Sequence, residues 1–168
     1  LEIGSGSGRT AQMFLLLDNN AKYVIVDIPP ALNISYENTK KLFPQKKISL
    51  AYKKSEKDLV REIFNNDVTY IFPHQIEMLP DKMFDISIAI DCLHEMEEEI
   101  VKKYMFNFER ISQSIYFKVW ENAALPNSFY KKYSVHNEKD YFLKKKWKKI
   151  FKERCIFPSD YYQFGFIF

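Results

Sequence analysis

The sequence predicts an α/β fold: a mostly parallel sheet with an antiparallel last strand and helices on both faces. Three observations carry this expectation. Short apolar, β-rich runs alternate with stretches of helical spacing through about residue 120. Three of the four glycines crowd one turn, Gly4, Gly6 and Gly8, between the first run and the first helical stretch. The last two strand-like runs, Trp147 to Cys155 and Tyr161 to Phe168, are joined by the turn-like Pro158-Ser159-Asp160 with no helix between them. Alternation implies crossover units and hence parallel pairing. Strands joined without a helix pair antiparallel.

Taken in order, residues 1 to 3 read as the end of a strand, and Thr10 to Leu17 as the helix that follows the glycine turn. Tyr23-Val24-Ile25-Val26 is a fully apolar run, stopped by Asp27-Ile28-Pro29-Pro30, as expected of a strand buried on both faces. A helix over Ala31 to Leu42, an extended stretch from Ile48 to Tyr52, a helix from Glu56 to Phe64 and a strand from Val68 to Phe72 continue the pattern. Phe84 to Asp91 is the clearest buried strand. Leu93 to Phe108 reads as one helix, because Ile100, Val101, Tyr104, Met105 and Phe108 recur at helical spacing. Ser114 to Trp120 is a further strand.

With 168 residues, 46% of them hydrophobic, the chain has room for one core, and a single domain over 1–168 is the expectation. Leu1 reads as the interior of a strand, so the reading expects an N-terminal part upstream. Cys92 and Cys155 lie far apart without metal-ligand spacing, which argues against a disulfide scaffold or zinc site and for a reducing, cytoplasmic compartment. No apolar run reaches the roughly 18 residues of a membrane span. The net charge is +3, but lysines concentrate at 131, 132, 139, 144–146, 148, 149 and 152. That clustering predicts a local basic surface, read as a solvated face or as a peripheral docking surface, with no base-reading motif to point to nucleic acid.

A glycine turn between strand and helix lets the backbone approach a ligand closely, and the helix start offers free N–H groups. The spacing Gly4, Gly6, Gly8 is not that of the dinucleotide fingerprint, in which the third glycine lies three residues after the second. Glu2 beside the loop would repel a pyrophosphate but suits an ammonium or sulfonium. Asp27, at the end of the second strand, suits a pair of ribose hydroxyls. S-adenosylmethionine has both a ribose and a positive charge.

These residues carry a resemblance. LEIGSGSG followed by VIVDIP resembles the first two motifs of Rossmann-like class I methyltransferases, whose last strand is also antiparallel. IVDIPPAL, Phe43-Pro44, YIFPHQIEMLPD and FDISIAIDCLHEM are similar to a bacterial family of sugar O-methyltransferases, although that family has Ser-Phe-Gln where this chain has Cys92-Leu93-His94. The resemblance implies S-adenosylmethionine as cofactor, with Glu2, Gly4, Gly6, Gly8 and Asp27 at its methionine and ribose ends. It places Ile28, His74, Gln75 and Asp91 around the adenine and the methyl.

Methyl transfer needs alignment and a group to take the acceptor proton. His94, just past the strand ending at Asp91, stands where open α/β sheets place their ligand crevice. Leu93-His94-Glu95-Met96 also resembles the segment that carries the catalytic histidine of small-molecule O-methyltransferases; Glu95 is read either as the residue that orients His94 or as a cap of the following helix. An alternative uses Asp91, Glu121 and Asn122 as oxygen ligands for magnesium. His136 and Asn137, with Tyr133 and Tyr141, are candidates for the acceptor pocket, and Trp120 and Tyr130 for stacking on a sugar. The expected reaction is O-methylation of a small-molecule or glycan acceptor, most plausibly a sugar hydroxyl. The alternatives are a non-sugar small-molecule acceptor and a non-catalytic subunit that binds a nucleotide or a partner.

Overall fold

The computed structural model describes residues 1–52, 54–120, 123–127, 132–136, 141, 143–144, 146–158 and 160–168, with backbone alone for 123–127 and 132–136. The chain divides into two compact units, Leu1–Pro80 and Asp81–Phe168.

In the first unit, strand β1 (Glu2–Ile3) leads through the glycine turn into helix α1 (Arg9–Leu17), followed by β2 (Tyr23–Val26), α2 (Pro29–Leu42), β3 (Ile48–Leu50), α3 (Glu56–Asn65) and β4 (Val68–Ile71). The strands lie in the order β3-β4-β2-β1 and pair parallel. Every residue of β2 and β4 is buried, as the unbroken apolar run of a central parallel strand requires. Pro29 and Pro30 occupy the first turn of α2, where no intrahelical N–H bond is lost. Helix α3 begins at a side-chain cap, with the Asp58 N–H donating to Ser55 Oγ at 3.3 Å.

The second unit runs β5 (Phe84–Ile90), a short 3₁₀ turn at Leu93–Glu95, α4 (Glu98–Ile111), β6 (Ser112–Trp120), a hairpin of β7 (Ala123–Asn127) and β8 (Lys132–His136), then β9 (Lys148–Arg154) and β10 (Tyr161–Ile167). Its strand order is β5-β6-β10-β9. Strands β5 and β6 are parallel, whereas β10 runs antiparallel to both β6 and β9. The fold class expected from the sequence, a mostly parallel α/β sheet with an antiparallel end, is therefore the one observed. Across the antiparallel β6–β10 pair, Phe117 is fully buried and stacks on its register partner Phe164 (centroids 4.9 Å apart) and on Phe166 (5.7 Å). Val101, Tyr104, Met105, Phe108 and Ile111 form the buried side of α4.

Two local readings change. The helix expected from Leu93 begins only at Glu98, because Asp91 turns the chain at φ 60° and Leu93 and His94 are buried in a separate turn. Once those two side chains point inward, the backbone must re-extend through Met96 and Glu97 before α4 can start. The β7–β8 hairpin carries Pro126 inside a strand, a residue that weakens any strand signal. No helix among the described residues is long and apolar enough to cross a membrane.

Truncating the ring at the centre of the second unit, Phe117→Ala, is expected to cost about 3–5 kcal/mol of unfolding free energy in a urea titration. A cost below about 1 kcal/mol would mean that the ring stack does not carry this core.

Candidate functional site

In the first unit the glycine turn is held from two sides. All three of its glycines have positive φ (73°, 55° and 85°), the left-handed region that side chains disfavour. From β2, the Val26 carbonyl accepts from the Gly4 N–H at 3.0 Å. Asp27 Oδ2 accepts from the Gly6 N–H at 3.0 Å and from Ser5 Oγ at 3.2 Å, while Oδ1 accepts from the Ile28 N–H at 2.8 Å. From α2, Asn38 Nδ2 donates to the Ser7 carbonyl at 3.2 Å. A Cβ on Gly8 would stand 2.5 Å from Ser35 Oγ, so α2 can approach only a glycine there. At Gly6, by contrast, a Cβ would meet nothing within 4 Å. Gly6 therefore faces open space, as a ligand-side position should.

Glu2 sits differently from the expectation. It is 1% exposed, and its Oε2 accepts from the Tyr23 hydroxyl at 3.2 Å, with Thr10 as a second side-chain partner. Burial pushes its carboxyl above the ordinary range despite these bonds, and pushes the Tyr23 phenol upward too. A side chain so enclosed braces β1 against β2. Gln75 is likewise committed to the backbone: it is 1% exposed, accepting from the Phe72 N–H at 2.8 Å and donating to the Ala51 carbonyl at 2.8 Å. It ties the segment after β4 to the end of β3.

Ile28 and His74 are exposed, each just past the carboxyl end of a parallel strand. His74 stacks on Phe72 (6.0 Å, 10°), which in turn meets the exposed Tyr52 edge-on (5.8 Å, 72°). Tyr52 went unnoticed in the sequence, although it follows β3 as Ile28 follows β2 and His74 follows β4.

The second unit brings Asp91, His94, Trp120 and Tyr161 together. His94 is 2% exposed, parallel to the Trp120 ring (5.1 Å, 12°) and edge-on to Tyr161 (5.6 Å, 85°). Its Nδ1 lies 3.5 Å from the Trp120 backbone N–H and its Nε2 3.5 Å from Asp91 Oδ1. With Nδ1 as acceptor, the proton of the neutral ring falls on Nε2, facing Asp91. Trp120 donates a side-chain hydrogen bond to the Tyr161 hydroxyl, and Tyr161 donates to Asp91. Desolvation raises the Tyr161 phenol well above its usual range, with the Asp91 charge and hydrogen bond acting in the same direction. Asp91 itself is half-exposed, with 56% of its side chain open. The group a hydroxyl can reach as these side chains stand is thus the Asp91 carboxylate, with the imidazole behind it. Glu95 is exposed, and its carboxyl is raised first by partial desolvation and then by the Asp91 charge.

Neither Tyr161 nor Trp120 was legible as part of this cluster from spacing. They come together because β10 pairs antiparallel with β6 and sets Tyr161 opposite Trp120, a pairing the sequence reading did not include. Glu121, Asn122, Tyr130 and Asn137 lie outside the described residues, as do the side chains of Tyr133 and His136.

No family model matches the chain, and no curated protein matches it either. Solved structures do. The PH0226 protein from Pyrococcus horikoshii OT3 aligns over 99% of this chain and 79% of its own at 16% identity, with a TM-score of 0.60. A Burkholderia thailandensis 1,6-didemethyltoxoflavin-N1-methyltransferase, solved with S-adenosylhomocysteine, aligns over 99% of this chain and 69% of its own at 13% identity (TM-score 0.59). The mitomycin 7-O-methyltransferase MmcR aligns over 99% of this chain at 10% identity (TM-score 0.58), and this chain spans 47% of its length. At these identities the likeness defines the fold: a Rossmann-like α/β fold that methyltransferases share.

The buried Glu2 yields a test. Because burial raises its pKa, ionisation is harder in the folded chain, and the stability present below the ordinary value of 4.5 is lost as pH rises through the folded value. Glu2→Gln keeps the acceptor and cannot ionise. It should therefore melt higher than the wild type at neutral pH and equally at about pH 4. An equal melting difference at both pH values would show that the carboxyl is not carrying that penalty.

Proposed function

We propose that the chain is an S-adenosylmethionine-dependent O-methyltransferase acting in the cytoplasm on a hydroxyl, with a sugar as the favoured acceptor. The observation that carries the reading is the first unit's loop: a left-handed glycine turn, open at Gly6, whose backbone is gripped by an acidic residue ending the next strand. The residues fit the cofactor. Asp27 has accepted three hydrogen bonds of the roughly four that a carboxylate can take, leaving capacity for a ribose hydroxyl. Ile28, Tyr52, Phe72 and His74 supply apolar and aromatic surface past the ends of β2, β3 and β4, suited to an adenine. When bound, S-adenosylmethionine supplies an electrophilic methyl on a sulfonium.

The remaining chemistry belongs to the second unit. Asp91 accepts from the acceptor hydroxyl and takes its proton as the bond to the methyl forms, and His94 behind it holds the carboxylate in place through the proton on Nε2. Trp120 fixes the imidazole plane by stacking on it, and Tyr161 donates to Asp91. Trp120, 37% exposed beside this pair, offers a ring face on which a sugar can stack. A non-sugar small molecule is the second reading, favoured by the acceptors named for the toxoflavin and mitomycin enzymes.

Calorimetry with S-adenosylhomocysteine tests the cofactor assignment. Asp27→Ala should weaken binding by about 1.5–3 kcal/mol, the scale for hydrogen bonds to a charged group, and unchanged affinity would remove Asp27 from the site. Once an acceptor is in hand, His94→Ala, by releasing Asp91, should lower turnover by about 10²-fold with cofactor affinity retained. A much smaller loss, together with inhibition by chelator and recovery with magnesium, would transfer the role to the metal reading of Asp91, Glu121 and Asn122.

A further inference from the structure

The turn between β9 and β10 presents Ile156 at 100% exposure and Phe157 at 86%. Single exposed apolar residues are ordinary on protein surfaces. This pair differs because the backbone beneath it is pinned while the side chains point away. On one flank, Cys155 is buried and its N–H donates to the Tyr161 carbonyl at 2.8 Å. On the other, the Tyr161 N–H donates to the Pro158 carbonyl at 3.3 Å, and Lys118 Nζ donates to the Phe157 carbonyl at 3.3 Å. The turn thus displays two adjacent large apolar groups to water from a fixed frame.

The strand leading into this tip is basic. Lys148, Lys149, Lys152 and Arg154 of β9 are all exposed, and among the described residues β9 is the last strand in the order, beyond β10. Glu153 and Asp160 oppose them, Asp160 through an exposed ion pair with Arg154 at 3.7 Å, so cations outnumber acids along the strand and turn. Exposed pairs of this kind hold little energy and yield readily to a competing anion. Lys149 and Lys152 lie over the rings of Phe164 and Tyr162, with their stems along the sheet.

A fixed apolar tip beside a cationic strand fits the interface of an anionic bilayer: the apolar groups enter the headgroup boundary while the cations meet acidic lipids. We infer that the Ile156–Phe157 turn, with the basic edge of β9, docks this protein on an anionic phospholipid membrane. The docked turn is bonded to the candidate cluster. Lys118, which holds the Phe157 carbonyl, also accepts through its own carbonyl from the Asp91 N–H at 2.9 Å, and Tyr161 joins the tip to Asp91 and His94. Docking stands independently of methyl transfer; its consequence, that the acceptor is presented at the bilayer surface, rests on the reading proposed above.

Flotation of the purified chain with phosphatidylcholine vesicles containing about one third phosphatidylglycerol tests the inference. The wild type should float with these vesicles, far less with pure phosphatidylcholine, and less again in high salt. Replacing the tip, Ile156→Ser with Phe157→Ser, should lower partitioning about tenfold or more, and Lys148→Glu with Lys152→Glu should do likewise on anionic vesicles alone. Thermal melts of both variants verify folding. Wild-type protein that does not float, or a tip variant that floats undiminished, overturns the inference. So does a tip variant that converts a concentration-dependent dimer to monomer without any vesicle binding, because a second copy of the chain would then cover the turn. S-adenosylhomocysteine titration, run separately, reports on the methyl-transfer reading without bearing on this result.

Discussion

The first unit depends on one carboxylate. Three left-handed glycines leave the turn after β1 with little side-chain packing and a large entropic cost of ordering. What holds it is Asp27, which accepts from Gly6, Ser5 and Ile28 at once. Asp27 can do this because β2 beneath it is buried along its whole length and paired on both edges, to β1 and β4. A rigid strand thereby aims an acceptor at a flexible loop. Helix α2 completes the support through Asn38 and through the close approach of Ser35 to Gly8.

The same logic, a strand end that positions a polar group, recurs in the second unit with a different result. Asp91 leaves β5 in a left-handed conformation, and its N–H is fixed on the Lys118 carbonyl of β6. Trp120 and Tyr161, at the paired ends of β6 and β10, then enclose His94 between two rings. Enclosure removes the imidazole from water and leaves the carboxylate as the outward group. The imidazole backs the carboxylate, with its Nε2 3.5 Å from Asp91 Oδ1. The arrangement requires the antiparallel strand, since only β10 brings Tyr161 opposite Trp120.

Much of this was legible in the sequence, for identifiable reasons. Tyr23 to Val26 and Val68 to Ile71 announce buried parallel strands because both faces must be apolar. The crowding of Gly4, Gly6 and Gly8 announces a loop that no other residues tolerate; that Asp27, read as a partner for ribose hydroxyls, also grips this loop is a finding of the structure. The interruption after Leu93 was not legible. Helical spacing runs on from Ile100 to Phe108 whichever residue begins the helix, and nothing in a periodicity reports that Asp91 turns at positive φ. Glu2 misled for a related reason: its partner Tyr23 lies 21 residues away, so its enclosure is a property of strand pairing.

What the sequence determined by itself, the β7–β8 hairpin and the break before α4 aside, was therefore most of the elements, the α/β class with its antiparallel end, and the glycine loop after β1. These follow from local patterns: apolar periodicity, turn residues, and the presence or absence of a helix between strands. Tertiary structure decided which of the polar residues stay accessible and which are spent within the chain. Asp27 and Asp91 keep accessible oxygens, whereas Glu2, Gln75 and His94 are enclosed. That division depends on which side chains register places opposite one another across strands, and on the low dielectric of the space they close, neither of which is encoded in the spacing of any single segment.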